Sequence, residues 1–512
     1  MKFKLLFENY WILFLLVSVK MVLQMVVVNP VYELHRDEFL HLDQAKHLAA
    51  GYISVPPLMS WVSYVINLLG GGVFWVRFFP ALFGAFTLIV MWLIVEQLKG
   101  GLLSKILVST VFIFSVFTRI NVLYQPNSFD ILAWTWFFYF LIKFINTDRP
   151  IWLFFMMICF VLGFYNKYNI LFLLTGIFVA FLITDLRKVF INRYLYLALI
   201  IGIVFLIPNL LWQYNHQFPF IHHMKVLKET QLNNVNRIGF LKEQLMLMSG
   251  ALPLIVAAFI GLFSYTPFRK YRVIGFAFLI TIAIFTFLRA KNYYALGLYP
   301  VLLSVGAVFL EKSFPRKFKV VAPAYNTLNV LLFIGLAKFI LPVLTPEEIT
   351  QNKQQFEGIG LLRWEDGKNH DLPQDFADML GWKEMASKAL IVFDTLPDSV
   401  KRETLVFCDN YGQTGALNFY NRGRMTEAYS FNTDYLFWIP NDLKIKNILL
   451  VGEAPGENIQ KLFEHFSKVA TVENPDSRER GTSVYLLLGA KDGFSDNFRN
   501  EMNRRRKEMD CF

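Results

Sequence analysis

The chain has 512 residues, 55% hydrophobic and 17% aromatic, with 50 Lys and Arg against 39 Asp and Glu for a formal charge of +11; its mean hydropathy is +0.42. Apolar stretches recur from near the first residue to about Leu344, which excludes an ordinary soluble globular protein and defines a polytopic α-helical membrane protein. Much of the excess positive charge lies in short loops between apolar runs and forms no basic face with interleaved aromatics, so no nucleic-acid partner is expected. Three cysteines make no disulfide framework.

The first apolar run, Tyr10 to Val28, is as long as the ~20 residues a spanning helix needs and lacks the small-residue cleavage site of a secretory signal. It reads as a retained helix. Further spans are expected at Val76–Glu96, Leu102–Val122, Asp130–Ile145, Ile151–Tyr165, Ile170–Thr184, Tyr194–Trp212, Leu247–Ser264, Val273–Leu288, Tyr293–Leu310 and Val320–Leu341. That makes about eleven transmembrane helices.

Lys and Arg in short loops resist translocation and so set the orientation. Threading eleven helices puts Lys2/Lys4, Lys99/Lys105, Lys143/Arg149, Arg187/Lys188/Arg193, Arg269/Lys270/Arg272 and Lys312/Arg316/Lys317/Lys319 on one face, which is read as cytoplasmic together with the N-terminus. The extracytoplasmic face then receives the loop with Asp37-Glu38, the Tyr124–Asn127 turn, the long Gln213–Met246 loop, the Arg289–Asn292 turn and everything after Pro346. The expected organisation is a membrane domain over 1–345 and an extracytoplasmic soluble domain over 346–512.

In the first outer loop Pro30 stops the first helix, and Phe39, Leu42, Ala45, Leu48 and Ala49 recur at helical spacing across Asp37 to Ala50. The pattern predicts an interfacial amphipathic helix that stops at Gly51 before Pro56-Pro57. Asp37, Glu38 and His41 fall towards its N-terminal end, where the helix dipole favours an ionised carboxylate. Such a group can take a proton from an acceptor hydroxyl, or it can simply cap the helix. In the soluble domain Thr404–Cys408, Ile448–Val451 and Ser483–Leu488 read as buried strands, while Trp382–Ile391 and Glu457–Phe466 carry helical spacing, a small α/β domain. Tyr411-Gly412-Gln413-Thr414-Gly415 reads as a strand-to-helix turn, because it lacks a full Gly-rich phosphate fingerprint.

Several short pieces occur in order along the chain: Arg36-Asp37-Glu38; Gly51-Tyr52; Pro56-Pro57-Leu58; Val76 to Gly84; Asn127-Ser128-Phe129-Asp130; Asn166-Lys167-Tyr168-Asn169; Pro208 to Trp212; Lys291-Asn292-Tyr293-Tyr294; and Tyr299-Pro300. This set resembles the GT-C membrane glycosyltransferases, specifically family 39, which holds protein O-mannosyltransferases and aminoarabinose transferases of lipid A. The piece Asp409 to Leu417 is similar to the C-terminal domain of bacterial members.

The resemblance implies an inner-membrane enzyme that moves a sugar from a polyprenyl-phosphate donor, held in the lipid bilayer, to an envelope acceptor (glycolipid, polysaccharide or protein) by inverting displacement. It implies Asp37 and Glu38 as the catalytic acids, with Asp37 as general base. Arg77, Arg289, Lys291, Tyr293 and Tyr294 would bind the donor phosphate, since cations aimed at a departing anion stabilise the transition state. Asp130 and His41 would serve the acceptor or a second site. No cofactor is defined; a divalent ion held by His222 and His223 with Glu38 or Asp130 is one arrangement the sequence allows. Where the aminoarabinose transferases place a Glu-Lys pair before the proline matching Pro56, this chain has Ser54-Val55, so their metal contact and lipid-phosphate lysine do not carry over. A transporter of lipid-linked sugars would keep its charges near the bilayer midplane, and a non-catalytic scaffold would leave Asp37-Glu38 without a task.

Overall fold

The computed structural model describes residues 2–509 and 511. Its contacts divide the chain into two units: one comprises 1–28, 74–212 and 229–343, the other 29–73, 213–228 and 344–512.

The first unit is helical. Helices cover nearly all the expected apolar runs: Lys2–Val26, Val73–Gln97, Leu102–Ile113, Pro126–Thr147, Ile151–Asn166, Ile170–Leu182, Arg193–Asn215, Leu252–Ser264, Arg272–Leu288, Tyr299–Ser313 and Pro315–Ile340. Among the described residues six helices are long and apolar enough to cross a membrane, and up to eight if two bent pairs each count as one span. Four more apolar helices are shorter, Tyr10–Val26 among them. The count of about eleven crossings is therefore not reproduced by length and composition.

The expected Leu102–Val122 span breaks at Phe114 and resumes as Val116–Ile120. Side chains satisfy the carbonyls freed there: the Thr118 hydroxyl donates to Ile113 O, and Asn329 Nδ2 donates to Phe114 O at 3.0 Å. Pro126 opens the following helix at its first turn, where a missing N–H costs nothing. In hydrocarbon, helices associate by close packing more than by hydrophobic exclusion, so small residues mark their contacts. Gly306 is such a contact: a Cβ there would run into the Leu254 carbonyl of the neighbouring Leu252–Ser264 helix. Because the obstacle is backbone, Gly306→Val should force the helices apart and cost about 1–3 kcal/mol. A lower melting temperature in detergent, without loss of insertion, is the expected result.

The second unit contains a five-stranded sheet: β1 (Thr404–Cys408), β2 (Ala428–Ser430), β3 (Asn447–Gly452), β4 (Phe463–Thr471) and β5 (Ser483–Ala490). Spatial order is β2-β1-β3-β5-β4, with β1 parallel to β2 and β3, and β5 antiparallel to β3 and β4. β3 is buried throughout its length, as its Asn-Ile-Leu-Leu-Val-Gly sequence demands of a central strand. The three expected strands are found, and Trp382–Thr395 is helical. Glu457–Phe466 is not one helix: a single turn, Glu457–Gln460, gives way to β4. Pairing with β5 overrides the local spacing, and the mostly exposed β4 closes the sheet edge.

The first-loop helix also differs from expectation. It runs Arg36–Asp43, with a 3₁₀ turn Gln44–Lys46, and ends well before Gly51. Every residue from Glu38 to Asp43 is buried, leaving only Arg36 and Asp37 in the first turn partly exposed, so it is not an interfacial helix. Two helices cover it, Leu58–Leu68, which follows it in the chain, and Tyr411–Tyr420, which is remote in sequence. The latter helix carries Gly412 and Gly415 at the seam. A Cβ on Gly415 would lie 2.6 Å from Phe39 Cβ, and one on Gly412 would lie 3.3 Å from Arg36 Cβ.

Candidate functional site

In the second unit, a capping arrangement positions Asp37. His35 is the N-cap: its Nδ1 accepts the Asp37 N–H at 3.2 Å, and the Glu38 carboxylate accepts the His35 N–H at 2.6 Å. This reciprocal box satisfies amides that a helix start leaves unpaired. Glu38, fully buried, is thus engaged in holding the turn. The neighbouring Asp37 side chain is 36% exposed. Its Oδ1 accepts from the Tyr411 hydroxyl at 2.7 Å, and its Oδ2 lies 3.8 Å from His35 Nδ1.

Burial works against the Asp37 charge, but His35, Arg36 and the Tyr411 hydroxyl outweigh it and hold the carboxyl below its ordinary range. The Arg36 guanidinium sits 4.5 Å over the Tyr411 ring. Burial and the adjacent Asp37 charge push the Tyr411 phenol well above its usual value, so it remains a proton donor to the carboxylate. His41 is buried at the far end of the same short helix, its Nδ1 3.3 Å from Gln44 Oε1; burial lowers its pKa.

Removing the hydroxyl with Tyr411→Phe takes away a contact that favours the ionised form, so the Asp37 pKa should rise. The acid limb of a pH–rate profile governed by this carboxylate should then move to higher pH. An unmoved limb would mean another group sets it.

The first unit gathers a second group. Asp130 is not the cap of its helix, which starts at Pro126 after the N-cap Gln125. It is buried, and its Oδ2 accepts from Asn169 Nδ2 at 3.0 Å; the same amide donates to the Tyr294 carbonyl. Lys167, at the break between the Ile151–Asn166 and Ile170–Leu182 helices, donates to Asn127 Oδ1 at 2.9 Å. Its ammonium lies 4.2 Å from the Tyr294 ring centroid and 4.9 Å from that of Tyr293. Sequence reading gave Lys167 no role. The only available signal was its place in the Asn166–Asn169 piece, because its ring partners lie more than a hundred residues away.

Other expected phosphate ligands are held differently. Arg77 donates to the Val122 carbonyl at 2.9 Å, and Arg289, in a left-handed conformation at φ 57°, donates to the Asn233 carbonyl at 2.8 Å. Lys291 caps the 3₁₀ turn Asn292–Leu298 that carries Tyr293 and Tyr294. His222 and His223 sit on a helix, Pro219–Thr230, within the long segment read as a loop. Among the described residues no group of three or more His, Cys, Asp and Glu is placed to hold a metal ion.

Comparison with known proteins bears on the fold. Residues 54–212 match the family model of dolichyl-phosphate-mannose-protein mannosyltransferases. No curated protein matches the chain. ArnT from Cupriavidus metallidurans in the apo state superposes with a TM-score of 0.64 at 13% identity, over 94% of this chain and 98% of that one. The same protein bound to undecaprenyl phosphate gives 0.63 at 14% identity, over 93% and 98%. The family match thus covers about a third of the chain, and the solved structures define its fold class: a helical membrane architecture of the ArnT type. That likeness extends over nearly the whole chain, which also carries the small C-terminal sheet domain.

Proposed function

We propose that the chain is an integral membrane glycosyltransferase that moves a sugar from a polyprenyl-phosphate donor to an envelope acceptor at the extracytoplasmic face of the inner membrane. The observation that carries this reading is Asp37: a partly exposed carboxylate on a capped helix, kept ionised and hydrogen-bonded by Tyr411. The partial family match and the ArnT-like fold support the reaction class.

Asp37 acts as general base. It takes the acceptor proton as the acceptor oxygen bonds to the anomeric carbon, and the bond to the lipid phosphate breaks on the opposite face, inverting the centre. Glu38 and His35 fix the turn that presents it. Lys167, with Tyr293 and Tyr294, stabilises the departing lipid phosphate; Arg77, Arg289 and Lys291 add positive charge for the same anion. Asp130 orients Asn169 and, through it, the backbone that carries the tyrosines. His41 supports the Asp37 helix from its buried end.

The donor class is tested with purified chain, native envelope extract as acceptor, and radiolabelled donors, with and without chelator. Label should transfer from at least one polyprenyl-phosphate sugar and from no nucleotide sugar. Transfer from a nucleotide sugar alone would overturn the donor assignment.

A further inference from the structure

In the second unit, the carboxyl ends of β1 and β3 open onto a cleft whose lining side chains carry no role in the proposed transfer chemistry. From β1 the chain passes through the Tyr411–Tyr420 helix to β2 on one side, then returns to β3 on the other side of β1. The gap between β1 and β3 is therefore a topological switch point, the place where open α/β sheets bind ligands. A cleft of about 570 Å³ lies there, lined among others by Asp409, Gln413, Glu453, Lys468, Glu479 and Arg480. That volume suits a small ligand.

The lining is built and polar. Asp409 Oδ2 accepts the Glu453 N–H at 2.5 Å across Gly452, where any Cβ would collide with the Asp409 carboxylate and where φ is +154°. Glu479 Oε2 accepts from Gln413 Nε2 at 2.7 Å and from the Thr482 hydroxyl at 3.0 Å. Each carboxylate thus has one oxygen fixed, which leaves its second oxygen as a hydrogen-bond acceptor for a ligand.

The charges decide the ligand class. Three carboxylates (Asp409, Glu453 and Glu479) face two cations (Lys468 and Arg480), a balance that disfavours phosphate. The helix start offers no open amide nest either. Asn410 Oδ1 accepts the Gln413 N–H, Asn432 Oδ1 accepts the Tyr411 N–H, and Gln413 Oε1 accepts from Asp409 and Asn410. Among the described residues no cluster is placed to hold a metal ion. Hydroxyl pairs suit the arrangement: they donate to fixed carboxylates and accept from Lys and Arg.

We infer that this cleft is a saccharide-binding site for neutral or amino sugars, separate from the residues assigned to transfer. The inference stands on the cleft alone and holds whether or not the chain transfers sugars. Saturation-transfer NMR on the full chain in nanodiscs tests it, with mannotriose, chitotriose and glucosamine trimer as probes and inorganic phosphate and UDP as competitors. At least one trisaccharide should bind, Asp409→Asn and Glu453→Gln should each weaken it tenfold or more, and Asp37→Asn should leave it unchanged. Glu453 is exposed, so its variant keeps the test valid if Asp409→Asn misfolds. No trisaccharide binding, displacement by UDP or phosphate, or loss only with Asp37→Asn would overturn the site.

Discussion

Asp37→Asn should lower sugar transfer by roughly 10²–10⁴-fold, the usual contribution of a positioned general base, while the chain still folds and binds donor. Asn retains an oxygen for the Tyr411 hydroxyl, and the helix cap is His35 rather than Asp37, so the local backbone keeps its bonds. What is lost is the negative charge, and with it the capacity to accept a proton and the attraction to His35 and Arg36. The fall should appear in kcat, with donor KM close to wild type. A purely structural Asp37 would leave the turnover per folded molecule unchanged, whatever the loss of stability.

The linked pH behaviour has a definite sign. The folded-state pKa of Asp37 is depressed, so the group contributes stability above the unfolded carboxylate pKa, and that contribution fades as pH falls through the lower folded value. Activity governed by Asp37 should likewise stay flat until the pH drops below the ordinary carboxylate range.

Lys167→Met should be the second large effect, about 10²–10³-fold in turnover, the scale for removing one transition-state donor or cation. The lysine is held by Asn127 and flanked by the Tyr293 and Tyr294 rings, an arrangement that fixes its charge in place before any anion arrives. Met fills a similar volume without the charge. Lys167→Arg should recover part of the activity, because it restores a cation in altered geometry. If Lys167 served only to end a helix, Met and Arg would change stability alike and leave the turnover of the folded enzyme untouched.

Much of the membrane architecture was legible because an apolar run of bilayer length has few alternatives in water. Helix ends and breaks were less so, since the Phe114 interruption depends on Thr118 and Asn329 meeting freed carbonyls. The strands β1, β3 and β5 were legible from their short, continuous apolar runs. β4 was not, because its mostly exposed sequence lacks a strand alternation and its pairing with β5 is set by tertiary contact. Spacing suggested that the first-loop helix was amphipathic, yet its polar face is covered by Tyr411–Tyr420 from the far end of the chain. Asp37 was singled out from its place just after the first apolar run, whereas its partner Tyr411 was invisible at a separation of 374 residues.

The most direct measurement follows lipid phosphate release in proteoliposomes loaded with a polyprenyl-phosphate sugar and supplied with acceptor. Transfer chemistry predicts free polyprenyl phosphate and glycosylated acceptor in equal amounts from wild type, and neither from Asp37→Asn. Movement of intact lipid-linked sugar between leaflets, with no phosphate released, would contradict it and make the chain a transporter.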